Sequence, residues 1–289
     1  MIIALFLQDQ PLNPVFRIIF ISIIIGGLGL IVLSRLFIYV EQMYALKNRK
    51  PLFRSFVLFK RLLNDNNRVL LTQNFTFYKR LSQSQKKLFE HRLVKFIDNK
   101  NFIGRESLII TDEMKILIGA TGVMLTFGFR DYLISIISKI IIYPDSFHSN
   151  INNQLHNGEF NPQFGALVLS WKHFREGYDV SNDNLNLGIH EFTHAIHFNS
   201  IYNSSINSII FNKSYNELKL YLDSNKELKS RLIKSRYFRE YAFTNQFEFA
   251  AVIVETFIET PQLFKLQFPV LFNKVRQMLN FKEALVLGL

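Results

Sequence analysis

The stretch HEFTH, residues 190–194, decides which fold class the chain belongs to. A helix advances about 3.6 residues per turn, so His190 and His194 project from the same face and can both bind one metal ion. Glu191 follows the first histidine and is placed to accept a proton from a metal-bound water. This combination is typical of zinc peptidases.

Short motifs also occur by chance, and the alternative is an amphipathic helix whose histidines are solvated or packed in the core. Three of the seven histidines of the chain fall within residues 190–197. Apolar side chains recur around them with the spacing of one helix face, at Leu185, Ile189, Phe192 and Ile196. The sequence therefore predicts a helix that carries a metal site.

A catalytic zinc needs a third protein ligand. His197 lies on the same face, but three ligands from one short helix are strained around an ion, so we expect it to pack or to hydrogen-bond a ligand. Glu248 and Glu255 lie on one face of a second predicted helix, which begins after Asn245 and ends before Pro261. Glu248 could instead complete a capping box, and Glu255 is expected to support a ligand.

Several segments beyond the motif carry a family resemblance. They are IIYPDSF at 141–147, ALVLSW at 166–171, HEFTH itself, and the region 240–272 that ends in PQLFKLQFPVLF. Together they make the C-terminal half resemble the Mlc titration factor A family of zinc peptidases, whose catalytic fold is similar to that of the anthrax lethal factor protease. The resemblance implies an α+β, zincin-like domain of the gluzincin type.

The resemblance also implies roles for individual residues. One Zn²⁺ per chain would be held by His190, His194 and Glu248, with Glu191 as general base and Tyr241 stabilising the oxyanion. The chain departs from the family at His197, where an aspartate is usual, and this puts the groups that orient the histidines in question. The substrate would be a peptide or a protein.

Two other function classes remain open from the sequence. The resembled family is also associated with binding a transcriptional regulator, so a regulatory protein that keeps the peptidase fold and sequesters such a regulator is the alternative. HExxH motifs also occur in intramembrane proteases, but the polar residues on both sides of residues 190–198 argue against a membrane-embedded motif.

A second informative segment lies near the N-terminus. Residues 18–34 are uncharged and apolar, and the run extends to Val40 if Arg35 reaches the interface. We predict a single transmembrane anchor at 14–40 after a tail at 1–13; a cleaved signal peptide is the competing interpretation. Basic residues are concentrated after the span, which predicts a cytoplasmic catalytic domain, in keeping with a bacterial inner-membrane protein.

Composition limits the architecture of the chain beyond the anchor. We predict a basic juxtamembrane linker at 41–61 and one peptidase domain at 62–289, with 30 phenylalanines to fill its core. The chain has no cysteine, which excludes disulfides and thiolate ligands. The net charge of +11 lies largely beside the membrane, and we expect no nucleic acid as partner.

A coarse element pattern completes the sequence-based predictions. Helices are expected at 60–98, 113–129, 214–236 and 269–284, besides the two that carry the site. Residues 132–144 are predicted to form a strand, and residues 148–165 a loop beside the cleft. The HEFTH helix and the Glu248 helix must pack face to face to share an ion.

Overall fold

The computed structural model describes residues 13–53, 57–149, 153–179 and 183–288. It is a mixed α+β structure, 65% helical. The helices are α1 (Pro14–Asn48), α2 (Asp65–Asn74), α3 (Thr76–Lys79), α4 (Gln83–Asn99), α5 (Asp112–Leu125), α6 (Trp171–Asp179), α7 (Leu187–Tyr202), α8 (Ile206–Ser224), α9 (Lys226–Lys234), α10 (Gln246–Glu259), α11 (Pro261–Gln267), α12 (Pro269–Met278) and α13 (Glu283–Leu287). A 3-10 turn at Glu240–Phe243 precedes α10.

Helix α1 is the one helix of the described residues that is long and apolar enough to cross a membrane. Asn13 caps it, because its side chain accepts a hydrogen bond from the Val15 amide, and Pro14 occupies the first position. None of its most apolar window is buried against the rest of the chain. The helix does not end at Val40 but continues to Asn48, so the first third of the predicted linker is helical.

The main sheet has the strand order β1-β2-β6-β5. Strands β1 (Asn101–Gly104), β2 (Lys139–Tyr143) and β6 (Ala166–Ser170) are parallel, and β5 (Gly158–Asn161) pairs antiparallel with β6 at the edge. Strands β3 (Phe147–His148) and β4 (Leu155–His156) form a separate two-stranded ladder. All five side chains of β6 are buried, as expected for an inner strand.

Phenylalanine fills much of the core, as the composition predicts. The central helices α5, α7 and α10 are buried along most of their lengths, and aromatic rings lie between them and their neighbours. The ring centroids of Phe96 and Phe192 are 6.0 Å apart and link α4 to α7, and Phe257 lies 5.1 Å from Phe272 between α10 and α12. Helices α7 and α10 pack against each other, as predicted.

Several predicted boundaries differ from the structure. The segment predicted as one helix at 60–98 is three helices. The backbone is extended at Phe75 and again at Ser82, and each of these residues precedes the first turn of a new helix. In the strand predicted at 132–144, only Lys139–Tyr143 is extended, and Ile134 has a positive φ of 49°. The loop predicted at 148–165 contains the edge strand β5.

Candidate metal centre

Helix α7 places both histidines of the motif at one point. Asn186 caps the helix by accepting a hydrogen bond from the Ile189 amide, which fixes where the first turn begins. Gly188 lies against the ring of Phe174, and a Cβ there would come within 2.5 Å of that ring. His190 and His194 lie one turn apart on α7, and their Nε2 atoms face each other at 3.0 Å.

Helix α10 brings the carboxylate. Asn245 caps this helix through the amides of Phe247 and Glu248, so the side chain of Glu248 is not needed for capping and turns toward α7. Its Oε2 lies 3.0 Å from His190 Nε2, and its Oε1 lies 3.4 Å from His194 Nε2. The three ligand atoms are all within 4.8 Å of one another.

The unsatisfied atoms of this cluster fit a cation. Glu248 Oε2 is buried and has no hydrogen-bond partner, since its contact with His190 lacks hydrogen-bond geometry. The Nε2 lone pair of His190, together with Nε2 of His194 when its proton is on Nδ1, faces the same point as this oxygen, as required for a shared cation. Two nitrogens and one carboxylate form a donor set that zinc accepts.

The charges around the cluster pull protons toward the histidines. Burial alone would lower the pKa of His190, but its contacts with Glu248 and Glu255 outweigh that effect and raise the pKa to about 10. Burial opposes the ionisation of Glu248, yet both histidines together hold the pKa of its carboxyl well below the usual range. The site therefore favours positive charge beside Glu248, whether a proton or a metal ion supplies it.

Glu255 orients the first histidine. This residue lies two turns after Glu248 on α10, is 1% exposed, and has its Oε1 3.2 Å from His190 Nδ1. Arg239 Nη2 donates to the other carboxylate oxygen. The Nδ1–H of His190 therefore donates to Glu255 and leaves Nε2 free as a ligand, which is the role of support expected for Glu255.

Glu191 lines an open cleft of about 450 Å³, which His190, Arg239 and Tyr241 also line. Burial raises the pKa of its carboxyl above the ordinary range. Strand β5 passes directly over it at Gly158, where a Cβ would lie 2.7 Å from Glu191 Cγ. Gly158 is not among the residues predicted from the sequence, although an isolated glycine between polar residues can signal close approach of the backbone.

A match to a family model decides the family. The model for the glucose-regulated metallo-peptidase M90 matches residues 49–280, which is most of the chain. The chain belongs to this family. An uncharacterized protein of Synechocystis sp. is 24% identical over 195 residues, which cover 63% of this chain and 71% of that protein. Family membership implies a metal ion and a peptide or protein substrate, and the M90 match includes every residue of the site.

Tyr241 lies on the 3-10 turn at the rim of the M90 cleft. Its ring centroid is 6.3 Å from that of His190, and about half of the side chain is exposed. Partial burial, together with the neighbouring carboxylate of Glu248, raises the pKa of its hydroxyl to about 12. The phenol therefore keeps its proton at neutral pH and can donate it to a bound group.

His197 lies outside the metal cluster. It is buried among the rings of Phe211, Tyr215 and Phe247, at centroid distances of 5.6, 4.6 and 4.7 Å. Burial lowers the pKa of its imidazole to about 4, and its Nδ1 has no hydrogen-bond partner. In this M90 chain the third histidine of α7 is thus a neutral packing residue, one of the two roles expected for it.

Proposed function

We propose that this M90 chain is a membrane-anchored, zinc-dependent peptidase of the gluzincin type, with a zincin-like catalytic domain. The observation that carries the proposal is the convergence of His190, His194 and Glu248 beside the buried carboxylate of Glu191 in an open cleft. Zinc held by these three ligands would supply an acidic water and a positive charge for the carbonyl oxygen.

The remaining chemistry falls to side chains of the chain. Glu191 accepts a proton at its carboxylate as the nucleophile forms, and then delivers that proton to the leaving amine. Its raised pKa brings it closer to neutrality, where a group can both take and return a proton. The Tyr241 hydroxyl donates to the developing oxyanion, and this role agrees with its retained proton.

The edge of the sheet supports an extended peptide as substrate. Strand β5 pairs with β6 on one side, and it is the last strand in the order of the main sheet. Its first residue, Gly158, lies against Glu191. An extended peptide can add to such an edge through main-chain hydrogen bonds, and here it would pass close to Glu191 because β5 lies against that residue.

The membrane part of the proposal has its own support. Helix α1 has a mean hydropathy of 2.6 over its most apolar window, and that window is fully exposed in the absence of lipid. Basic residues come after the span, at Lys47, Arg49, Lys50, Lys60 and Arg61. By the positive-inside rule the catalytic domain lies in the cytoplasm.

Metal analysis of the full chain in detergent tests the catalytic proposal. We expect one zinc per chain in the wild type, loss of zinc in Glu248→Ala, and retention at weaker affinity in Glu255→Ala. Supporting groups of this kind typically contribute about 10–100-fold in metal affinity. A wild-type protein without stoichiometric metal would overturn the peptidase proposal and would favour a regulatory binding role.

A further inference from the structure

The last two turns of α1 are docked on the catalytic domain. Glu41 is buried and forms a two-pronged ion pair with Arg130, at 2.6 and 3.3 Å. One turn later Ala45 is fully buried in a cluster with Ile206 and Ile210 of α8. These contacts fix the end of the anchor against α8.

The order of the contacts gives the direction of packing. Ala45 contacts the first two turns of α8, and Arg49 pairs with Glu217 further along the same helix. The two helices therefore run parallel, and the N-terminal end of α8 points back along α1 toward the apolar span. Helix α7 ends at Tyr202, with three residues between it and α8, so Ile201 and Tyr202 lie near this N-terminal end of α8.

The chain after α1 turns back in the same direction. Arg49 ends the helix in the left-handed conformation, with φ 55° and ψ 34°. The ring of Phe53 then lies 5.9 Å from that of Phe37, which is three turns earlier in α1 and inside the predicted span. The guanidinium of Arg130 lies 4.6 Å above the Phe53 ring.

Four large apolar side chains on this side of the domain are exposed, and we call them the span-side patch: Leu52, Phe53, Ile201 and Tyr202. We propose that the span-side patch lies in the headgroup layer of the lipid bilayer and holds the catalytic domain in one orientation. The inference rests on the proposed membrane anchoring of α1. It goes further, because the docked end of α1 fixes the domain relative to the anchor but not relative to the bilayer surface.

Lipid is the occupant that the surroundings favour. The Phe53 side of the patch adjoins the exposed apolar surface of α1, since the ring of Phe53 contacts that of Phe37. Tyrosine is suited to the interface, where its ring is buried and its hydroxyl meets water, and the apolar ring of Phe53 can lie deeper beside α1. Lys47 and Lys50 are exposed close by and would attract anionic headgroups.

The absence of cysteine in the chain permits a direct test with single-cysteine variants of the full protein. Ile25→Cys reports on the span, Leu52→Cys and Tyr202→Cys report on the patch, and Leu220→Cys is the control. Leu220 is 68% exposed and Tyr202 is 72% exposed, but Leu220 lies on α8 about four turns beyond the docked end. Each variant is labelled with bimane and reconstituted in vesicles of phosphatidylethanolamine and phosphatidylglycerol.

Nitroxide lipids and aqueous iodide are the quenchers. We expect mid-chain nitroxide to quench the label at Ile25, headgroup nitroxide to quench the labels at Leu52 and Tyr202, and iodide alone to quench the label at Leu220. If the labels at Leu52 and Tyr202 respond to iodide as Leu220 does while Ile25 is in lipid, the patch proposal fails and the anchor stands. Shielding of both patch labels from both quenchers would indicate that protein and not lipid covers the patch, and this result would also overturn the patch proposal. An Ile25 label that no nitroxide lipid reaches would disprove the anchoring itself.

Discussion

The metal centre and the junction between α1 and α8 both bury charged side chains, but the two regions differ in how those charges are satisfied. At the junction, both oxygens of Glu41 are paired with Arg130, so the pair is complete within the chain. At the metal centre, Glu248 Oε2 has no hydrogen-bond partner and two imidazole nitrogens face each other. The Glu41–Arg130 pair can hold two parts of the chain together, whereas two imidazoles and a carboxylate that converge around an unpartnered oxygen form a set of donors suited to a ligand.

The largest effect is expected from Glu191, the proposed general base. Glu191→Gln keeps the shape of the side chain but cannot accept a proton, and we expect peptidase activity to fall by about 10²–10⁴-fold with metal content unchanged. The measurement is kcat/KM on a peptide library together with elemental analysis. Glu176→Gln is the control, because Glu176 lines the same cleft with an exposed side chain. Equal activity of Glu191→Gln and the wild type would remove Glu191 from the mechanism.

The complete pair at the junction is tested by breaking it. Glu41→Ala leaves the guanidinium of Arg130 mostly buried and without its carboxylate, and we expect a loss of about 2–3 kcal/mol in the free energy of unfolding. Denaturant titration of the full chain in detergent measures the loss. Asp65→Ala is the matched control, because Asp65 pairs with Arg68 on the surface and should contribute less than about 1 kcal/mol. Equal effects in the two variants would contradict a structural role for the junction pair.

The buried imidazole of His197 should make the free energy of unfolding depend on pH separately from the proposed metal ligands of the same helix. Its pKa is lowered to about 4 in the folded chain, whereas an unfolded histidine titrates near 6.5, so its contribution to stability is present above pH 6.5 and is lost as the pH falls toward 4. Between pH 7 and pH 4.5 the wild type should lose about 2–3 kcal/mol more than His197→Phe. Protonation of the metal ligands affects both proteins and cancels in the difference. Parallel pH curves would show that His197 is not held neutral.

The smallest effect is expected from the strand above Glu191. Gly158→Ala places a methyl group against Glu191 and Leu187, and the resulting shift of the general base should lower kcat by about tenfold while zinc is retained. Gly29→Ala adds the same methyl group to α1 where no atom lies within 4 Å, and it serves as the control. An unchanged kcat in Gly158→Ala would mean that β5 does not constrain the base.

The sequence was sufficient to predict the parts of the site that have strong local signals. The spacing of His190 and His194 and the cap at Asn245 predict α7 and the start of α10, and both helices are present. The strain of three ligands from one short helix argued against His197 as the third ligand, and the family resemblance assigned that role to Glu248, whose alternative was a capping box. The structure brings Glu248 to the cluster and leaves His197 among aromatic rings.

Other features have no local signal. Strand β5 is four residues long and lies in a segment rich in asparagine and glycine, which favours the prediction of a turn. Its pairing with β6 stabilises the strand despite this composition. The end of α1 has polar residues such as Glu41 and Asn48, which are also typical of a linker. That segment is helical because Arg130, Ile206 and Glu217, all distant in the chain, provide its contacts.

An ion held between α7 and α10 by the proposed ligands would have a second effect, on folding. Since His194 and Glu248 are far apart in the chain, an unfolded chain cannot present the same site, and an ion that binds the folded form shifts the folding equilibrium by mass action. At a free metal concentration of about 1,000 times Kd, the shift is about 4 kcal/mol. Metal supply would then determine how much catalytic domain survives proteolysis, as well as how much of it is active.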